Sequence, residues 1–249
     1  MEAPFYIISD NHFMMENTEK ESNRRKKLFS VFQAIKKRGQ GTLIIGGDFF
    51  DFWFETDYVI PNGYHDLIDA LKELNESGIE IHYLAGNHDY WNFGYLENKI
   101  NLKFHKGNLQ FNFNKDKILI THGDGLLKKD FSYKIFKKII RHPIFIRLFK
   151  LIPPKISFNF ANKLSRSSSH YNHNDKFIDI IMNDILEYAK QEWIKKNNIV
   201  MVGHYHQQKI IKRKEGTLIF LGDWLTKFSI TTLSKKGIWQ GNWEEFIKN

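Results

Sequence analysis

The sequence predicts an α/β layer fold on three observations. Five short apolar runs read as buried strands, amphipathic segments of helical length fall between several of them, and every run ends in a compact group of metal-ligating residue types. The runs are Phe5-Tyr6-Ile7-Ile8-Ser9, Thr42-Leu43-Ile44-Ile45, Ile81-His82-Tyr83-Leu84-Ala85, Ile118-Leu119-Ile120-Thr121 and Ile199-Val200-Met201-Val202. They lead into Asp10-Asn11-His12, Gly46-Gly47-Asp48, Gly86-Asn87-His88-Asp89, His122-Gly123-Asp124 and Gly203-His204-Tyr205-His206. Short runs rich in apolar and β-branched residues are the pattern of strands covered on both faces. Groups at their ends are expected to converge on one edge of a sheet, where α/β folds place their chemistry.

The other elements follow in order. Glu19 to Lys37 and Tyr64 to Ser77 read as helices returning between the first three strands, the second stopped near Gly78. Between the fourth and fifth groups lies a basic, apolar block that Pro143 and Pro153-Pro154 divide into short helices. Asp175 to Lys195 is a long amphipathic helix before the fifth strand. Strand-like runs at Gln208 to Lys212, Thr217 to Leu221, Ser229 to Leu233 and Trp239 to Trp243 are expected to build a second sheet. With no internal repeat or low-complexity linker, residues 1–249 read as a single domain carrying an insertion at about 126–176.

Composition narrows the function classes. The chain has no cysteine, which removes disulfides, thiolate metal sites and zinc knuckles, and suits a reducing cytoplasm. Its first residues pass directly into a strand, unlike a signal peptide, and no apolar run reaches the roughly 18 residues of a membrane span. The net charge is +9, and residues 126–176 alone hold twelve Lys/Arg against two Asp/Glu. The same block carries Phe131, Ile135, Phe136, Ile139, Ile144, Leu148 and Leu151 at helical spacings. A cationic, apolar helical segment reads as a membrane-surface element, with lysines on anionic headgroups. The plainer reading is an insertion packed on the core with solvated lysines. Nucleic-acid binding would interleave basic residues with exposed aromatics and is disfavoured.

The five groups offer carboxylates (Asp10, Asp48), an amide (Asn87) and imidazoles (His12, His122, His204, His206). This is an oxygen and nitrogen set suited to hard or borderline divalent cations, and too large for one ion. Two ions about 3.5–4 Å apart could clamp phosphoryl oxygens during in-line attack. His65, His82, His105, His142 and His170 fall in no group and read as packing or surface residues. Asp124 reads as a turn cap, and Asp51 as a support for neighbouring ligands.

In this order, Asp-x-His, Gly-Asp, Gly-Asn-His-Asp, His-Gly-Asp and Gly-His-x-His resemble the calcineurin-like metallophosphoesterase superfamily, across residues 10 to 206. The resemblance implies a four-layer αββα sandwich and two divalent ions. One would be held by Asp10, His12, Asp48 and His206, the other by Asp48, Asn87, His122 and His204, with Asp48 bridging. His88 matches the superfamily's catalytic histidine, which meets the phosphate and can protonate the leaving oxygen. Asp89 would orient His88.

Gly47-Asp48-Phe49-Phe50-Asp51-Phe52-Trp53 is similar to the UDP-2,3-diacylglucosamine hydrolases of lipid A synthesis, and the basic block lies where that family carries its helical lid. By position, Asp130, Ser169, His173 and Lys176 would contact substrate, together with Asn87, His88 and His204. His173 stands for an asparagine, His88 for an arginine of the best-known branch, and Gln207-Gln208 for its Arg-Pro. The family implies Mn²⁺, though Fe, Zn or Mg would suit the same ligands. It also implies a lipid-linked UDP-sugar substrate, and a peripheral place on the cytoplasmic face of the inner membrane. The leading expectation is therefore a metal-dependent pyrophosphatase giving UMP and 2,3-diacylglucosamine 1-phosphate. The alternatives are a soluble phosphodiesterase or phosphatase for nucleotides or phosphoproteins, and a non-catalytic binding scaffold. No protein partner is inferred.

Overall fold

The computed structural model describes residues 1–16, 18–55, 63–152 and 175–248. Ser169, His173, Pro153-Pro154 and much of the expected insertion lie outside the described residues.

Two mixed sheets form the centre. The first has six strands in the order β11 (Gly237–Asn242), β10 (Ser229–Ser234), β1 (Phe5–Ile8), β2 (Thr42–Ile45), β3 (Glu80–Leu84) and β4 (Lys103–His105). The second has five, in the order β5 (Leu109–Phe113), β6 (Asp116–Thr121), β7 (Ile199–Val202), β9 (Thr217–Leu221) and β8 (Gln208–Lys212). β1 to β4 run parallel, as do β6, β7 and β9, and antiparallel β10, β11, β5 and β8 occupy the margins.

Strand alternation generates the layers. Tyr6, Ile8, Leu43 and Ile45 point outward from the first sheet into a core with α1 (Glu19–Arg38), α2 (His65–Glu76), α3 (Tyr95–Ile100) and α7 (Trp243–Lys248). Phe5, Ile7 and Ile44 point the other way, against Ile118, Ile120, Met201 and Ile219 of the second sheet. Leu119, Val200, Val202, Leu218 and Phe220 then cover Ile181, Ile185, Ala189 and Trp193 of α6 (Asp175–Ile194). The period of two in each strand thus builds four layers, αββα. Thr18 caps α1 by accepting the Glu21 N–H (3.2 Å), and Gly39 ends it at φ 74°.

Three expectations need correction. The five ligand-bearing strands divide between two sheets, β1 to β3 in one and β6 and β7 in the other. The C-terminal strands do not form a sheet of their own: β8 and β9 join the second and β10 and β11 the first, with Trp243 opening α7. Finally, α3, β4 and β5 occupy residues 95–113, where no element was expected.

The basic block begins with α4 (Phe131–Ile140) and α5 (Pro143–Lys150), divided where Pro143 takes the first helical position. Ile140, Phe145, Ile146 and Phe149 pack on Phe52, Phe54 and Trp91, so this pair seats on the loops after β2 and β3. Phe131, Ile139, Ile144, Leu148 and Leu151 remain exposed. No helix among the described residues is long and apolar enough to cross a membrane.

Candidate metal centre

The seven ligand-type side chains come from the ends of β1, β2, β3, β6 and β7. Beyond the ladders the chain is held by hydrogen bonds from Asp10 N–H to Gly47 O (3.0 Å) and from His12 N–H to Asp48 O (2.8 Å). Asp10, His12, Asp48, His204 and His206 all have left-handed backbone, with φ of 53°, 45°, 51°, 64° and 53°. Such conformations cost about 1 kcal/mol or more each, and cluster where the surroundings over-determine them for function. They turn each side chain back toward one point between the sheets. Two glycines make room: a Cβ on Gly86 would stand 2.0 Å from Asp48 Oδ1, and one on Gly47 (φ 102°) 2.5 Å from His122 Nδ1.

Asp48 lies in the middle. Its Oδ2 is 3.2 Å from His122 Nε2 and 3.7 Å from His12 Nε2, while Oδ1 accepts the His88 N–H at 2.8 Å. His206 Nε2 is 3.7 Å from Asp10 Oδ1, and Asn87 Oδ1 is 3.1 Å from His122 Nε2. Ligand atoms of Asp10, His12 and His206 lie within 4.8 Å of one another, as do those of Asp48, His122 and His204, and those of His12, Asp48 and His88. Asp48 thus lies near one histidine of each expected set, and its group with His12 also takes in His88, which was expected to act on the phosphate.

The donor set fits divalent cations. His12 Nε2 is buried without a hydrogen-bond partner, an orphaned lone pair beside a carboxylate. Burial opposes charge on His122, but the carboxylates of Asp48, Asp10 and Asp124 together outweigh it and push the imidazole up to about 10. Burial and the neighbouring His122 hold His204 down to about 3.

His88 lines the cavity, and its Nδ1 donates to the Asp51 carbonyl oxygen at 2.6 Å, which fixes the tautomer. The Asp89 carboxylate, expected to orient that ring, instead accepts N–H groups of Phe49 and Gly86 (2.7 Å each) and the Tyr83 hydroxyl. It shapes the loop that carries His88. Trp53 and Trp224 are fully buried.

A cavity of about 400 Å³ opens from the ligands. His12, Asn87, His88, His204 and His206 line its floor, with Phe177, Ile178 and Ile181 of α6 along one wall. Among the described residues, neither Asp130, at the start of α4, nor Lys176 lines it.

Asp124 does more than cap a turn. Its buried carboxylate accepts the Tyr133 hydroxyl (3.0 Å) and pairs with Lys137 (2.8 Å) and Arg141 (3.2 Å), all on or just after α4. Arg141 also donates to Gly86 O (2.9 Å) and lies 4.0 Å over the Tyr90 ring, tying α4 to the loop of Asn87 and His88. The sequence signal was a buried-type aspartate followed by basic residues at helical spacing.

Residues 3–208 match the family described as calcineurin-like phosphoesterase. A curated relative, the UDP-2,3-diacylglucosamine hydrolase of Porphyromonas gingivalis, is 26% identical over 242 residues, covering 90% of this chain and 92% of its own length. A protein of the same name from Histophilus somni is 28% identical over 239 residues, covering 93% and 97%. A third, from Pseudomonas fluorescens, is 28% identical over 225 residues, covering 88% and 87%.

Proposed function

The chain belongs to the calcineurin-like phosphoesterases, metal-dependent hydrolases, and from that premise we propose that it cleaves the pyrophosphate of UDP-2,3-diacylglucosamine to UMP and 2,3-diacylglucosamine 1-phosphate. The observation that carries the reaction class is the placement of Asp48 Oδ2 between His122 and His12, which suits a carboxylate shared by two ions. The substrate assignment is supported by relatives matched along most of both chains, and by a cavity that runs from that carboxylate to an apolar wall.

Asp10, His12, Asp48 and His206 would hold one ion and Asp48, Asn87, His122 and His204 the other, with Mn²⁺ as the proposed metal. Divalent ions there supply charge to neutralise phosphoryl oxygens and to make water nucleophilic at neutral pH. The chain's own residues do the rest. The Nδ1–H of His88 is held by Asp51 O, so as an imidazolium the ring would present an Nε2–H to the phosphate and pass that proton to the leaving oxygen. Asn87, beside it on the floor, contacts the same phosphoryl group. Phe177, Ile178 and Ile181 receive apolar parts of the substrate and exclude water. By position in the family, Asp130, Lys176, Ser169 and His173 are proposed contacts for the sugar and phosphate.

We further propose that residues 126–176 act as a lid within a single domain. Its exposed apolar side chains and lysines would rest on an anionic membrane surface, at the cytoplasmic face of the inner membrane.

One residue favours a second reading. Histidine at position 88 cannot make the bidentate phosphate contact of an arginine, which suits a smaller phosphodiester. Both readings are tested by following UMP release from UDP-2,3-diacylglucosamine beside hydrolysis of an aryl phosphodiester, with Mn²⁺ and with EDTA. EDTA-sensitive UMP release supports the first reading. Cleavage of the aryl ester alone moves the protein to another branch of the family.

A further inference from the structure

We propose that Arg24 is a positioning residue for the metal centre, bracing the backbone that presents Asp10 and His12. The inference rests on the two-ion reading of the site. Arg24 lies on α1 at 5% exposure, and its guanidinium spreads over three carbonyl oxygens. Nη2 donates to Asn11 O, Nη1 to His12 O (3.3 Å) and Nε to Trp224 O (3.3 Å). Buried Glu21, one turn earlier, accepts from Arg24 Nη1 and also takes the Met14 N–H at 3.1 Å. Arg25 donates to Met14 O, and Trp224 returns its indole N–H to Arg24 O (3.2 Å) and its backbone N–H to Asp10 O (3.1 Å). The carbonyls of Asp10, Asn11, His12 and Met14 are therefore all tied to α1 or to the loop after β9.

This backing has a physical reason. β1 ends at Ile8, yet Asp10 and His12 must hold left-handed backbone (φ 53° and 45°) a few residues on. Non-glycine residues keep that conformation only when neighbours over-determine it. Charge-assisted hydrogen bonds from a buried guanidinium provide this, and the planar fork reaches three acceptors where an ammonium reaches fewer. The brace serves one side of the centre. The His206 carbonyl is held by Lys227 (2.7 Å), and the Asn87 loop by Arg141 through Gly86 O (2.9 Å). Weakening Arg24 should loosen the ion held by Asp10, His12 and His206 and spare the other.

The test is Mn²⁺ titration by calorimetry of metal-free wild type, Arg24→Gln and Arg24→Lys. Arg38→Gln serves as a control, since Arg38 lies on the same helix but bonds Phe246 O (2.9 Å), away from the ligands. Wild type should bind two ions. Both Arg24 variants should keep one at wild-type affinity and bind the other roughly 10–100-fold more weakly, the usual effect of removing a ligand's support. The Mn²⁺ concentration for half-maximal turnover should rise by the same factor, with substrate KM unchanged and kcat recovered at high Mn²⁺. Arg38→Gln should lower the melting temperature and alter neither quantity. If Arg24→Gln does not fold, Arg24→Lys decides alone. Two ions bound at wild-type affinities by the Arg24 variants would overturn the brace while leaving the two-ion reading intact. Fewer than two ions on wild type would overturn that reading, and the brace with it.

Discussion

The Asp10 carboxylate accepts the backbone N–H of His204 across 194 residues of chain, 2.9 Å from each of its oxygens. Asp10 follows β1 in one sheet and His204 follows β7 in the other, so the candidate ligands sit at a joint between the two halves of the fold. An ion bound there should stabilise the whole chain and not only a loop. Saturating Mn²⁺ at about 100 times its dissociation constant should add about 2.7 kcal/mol. For a chain of this size that raises the melting temperature by roughly 5–10 °C. Differential scanning calorimetry with Mn²⁺ and with EDTA checks it, and a melting temperature indifferent to both would count against ions at the joint.

Asp48→Ala removes a carboxylate oxygen that lies near both His122 and His12. Each ion is worth several kcal/mol of charge stabilisation during attack. Turnover should therefore fall by roughly 10³-fold or more with UDP-2,3-diacylglucosamine and with an aryl phosphodiester alike. Appreciable residual activity on either substrate would refute a bridging role.

Gly86→Ala tests the same carboxylate by displacement. The new methyl would fall 2.0 Å from Asp48 Oδ1 and 2.5 Å from Asp48 N, so the side chain and its loop must shift. A misplacement near 1 Å can cost about 10²-fold in rate. Gly107→Ala, with nothing within 4 Å of the added carbon, should leave kcat unchanged. Parallel kinetics of the two variants separate close packing at the site from a general intolerance of glycine replacement.

Much of this centre was legible because ligand identity is local: a strand end of four or five residues carries both its burial pattern and its terminal donors. The partition between sheets was not legible. β2 and β6 read alike as apolar runs, and only packing at long range tells that Ile44 faces Ile118 across an interface between sheets. β5 escaped because Leu109–Phe113 alternates exposed and covered residues, which weakens an apolar signal, and β4 because it has three residues. Arg24 and Glu21 escaped for a different reason. On a helix surface they read as solvated charge, and their burial follows from a loop 200 residues away in sequence, through Trp224.

His82 and His105, read as packing residues, stack with Nδ1 and Nε2 2.9 Å apart, and His82 Nε2 is 3.1 Å from Glu80 Oε1. Burial lowers both imidazole pKa values below 6.5, in His82 against the pull of Glu80. Burial raises Glu80, but hydrogen bonds from Lys103, the N-terminal amine and His82 outweigh it and bring the carboxyl down to about 2. The signs agree. Stability from the neutral histidines is fully present above 6.5 and declines as pH falls toward their lowered values. Stability from Glu80 is present above its ordinary 4.5 and lost as pH falls through about 2. Urea unfolding should show Glu80→Gln less stable than wild type at pH 7, by about 0.5–1 kcal/mol, since Glu80 and its partner Lys103 are partly exposed. The difference should shrink as pH drops from 4.5 toward 2. A constant difference would show that the charge on Glu80 contributes nothing.

The exposed face of α4 and α5 separates the lipid reading from the small-ester one. Ile144 and Leu148 are each 61% exposed, whereas Ile146 and Phe149 of the same helix pack against Phe52, Phe54 and Trp91. Ile144→Ser with Leu148→Ser therefore leaves the docked side of α5 untouched, and the fold should keep its melting temperature. Burying each such side chain in lipid is worth about 1.5–3 kcal/mol, so the pair should weaken engagement of a diacyl substrate by at least roughly 10²-fold. Hydrolysis of an aryl phosphodiester, which needs the centre and no acyl contact, should be unchanged. The check is the ratio of the two kcat/KM values, together with sedimentation on vesicles containing an anionic lipid. Loss of both activities in parallel would make this face part of the folded core's support. Loss of neither would return the basic block to a plain soluble surface.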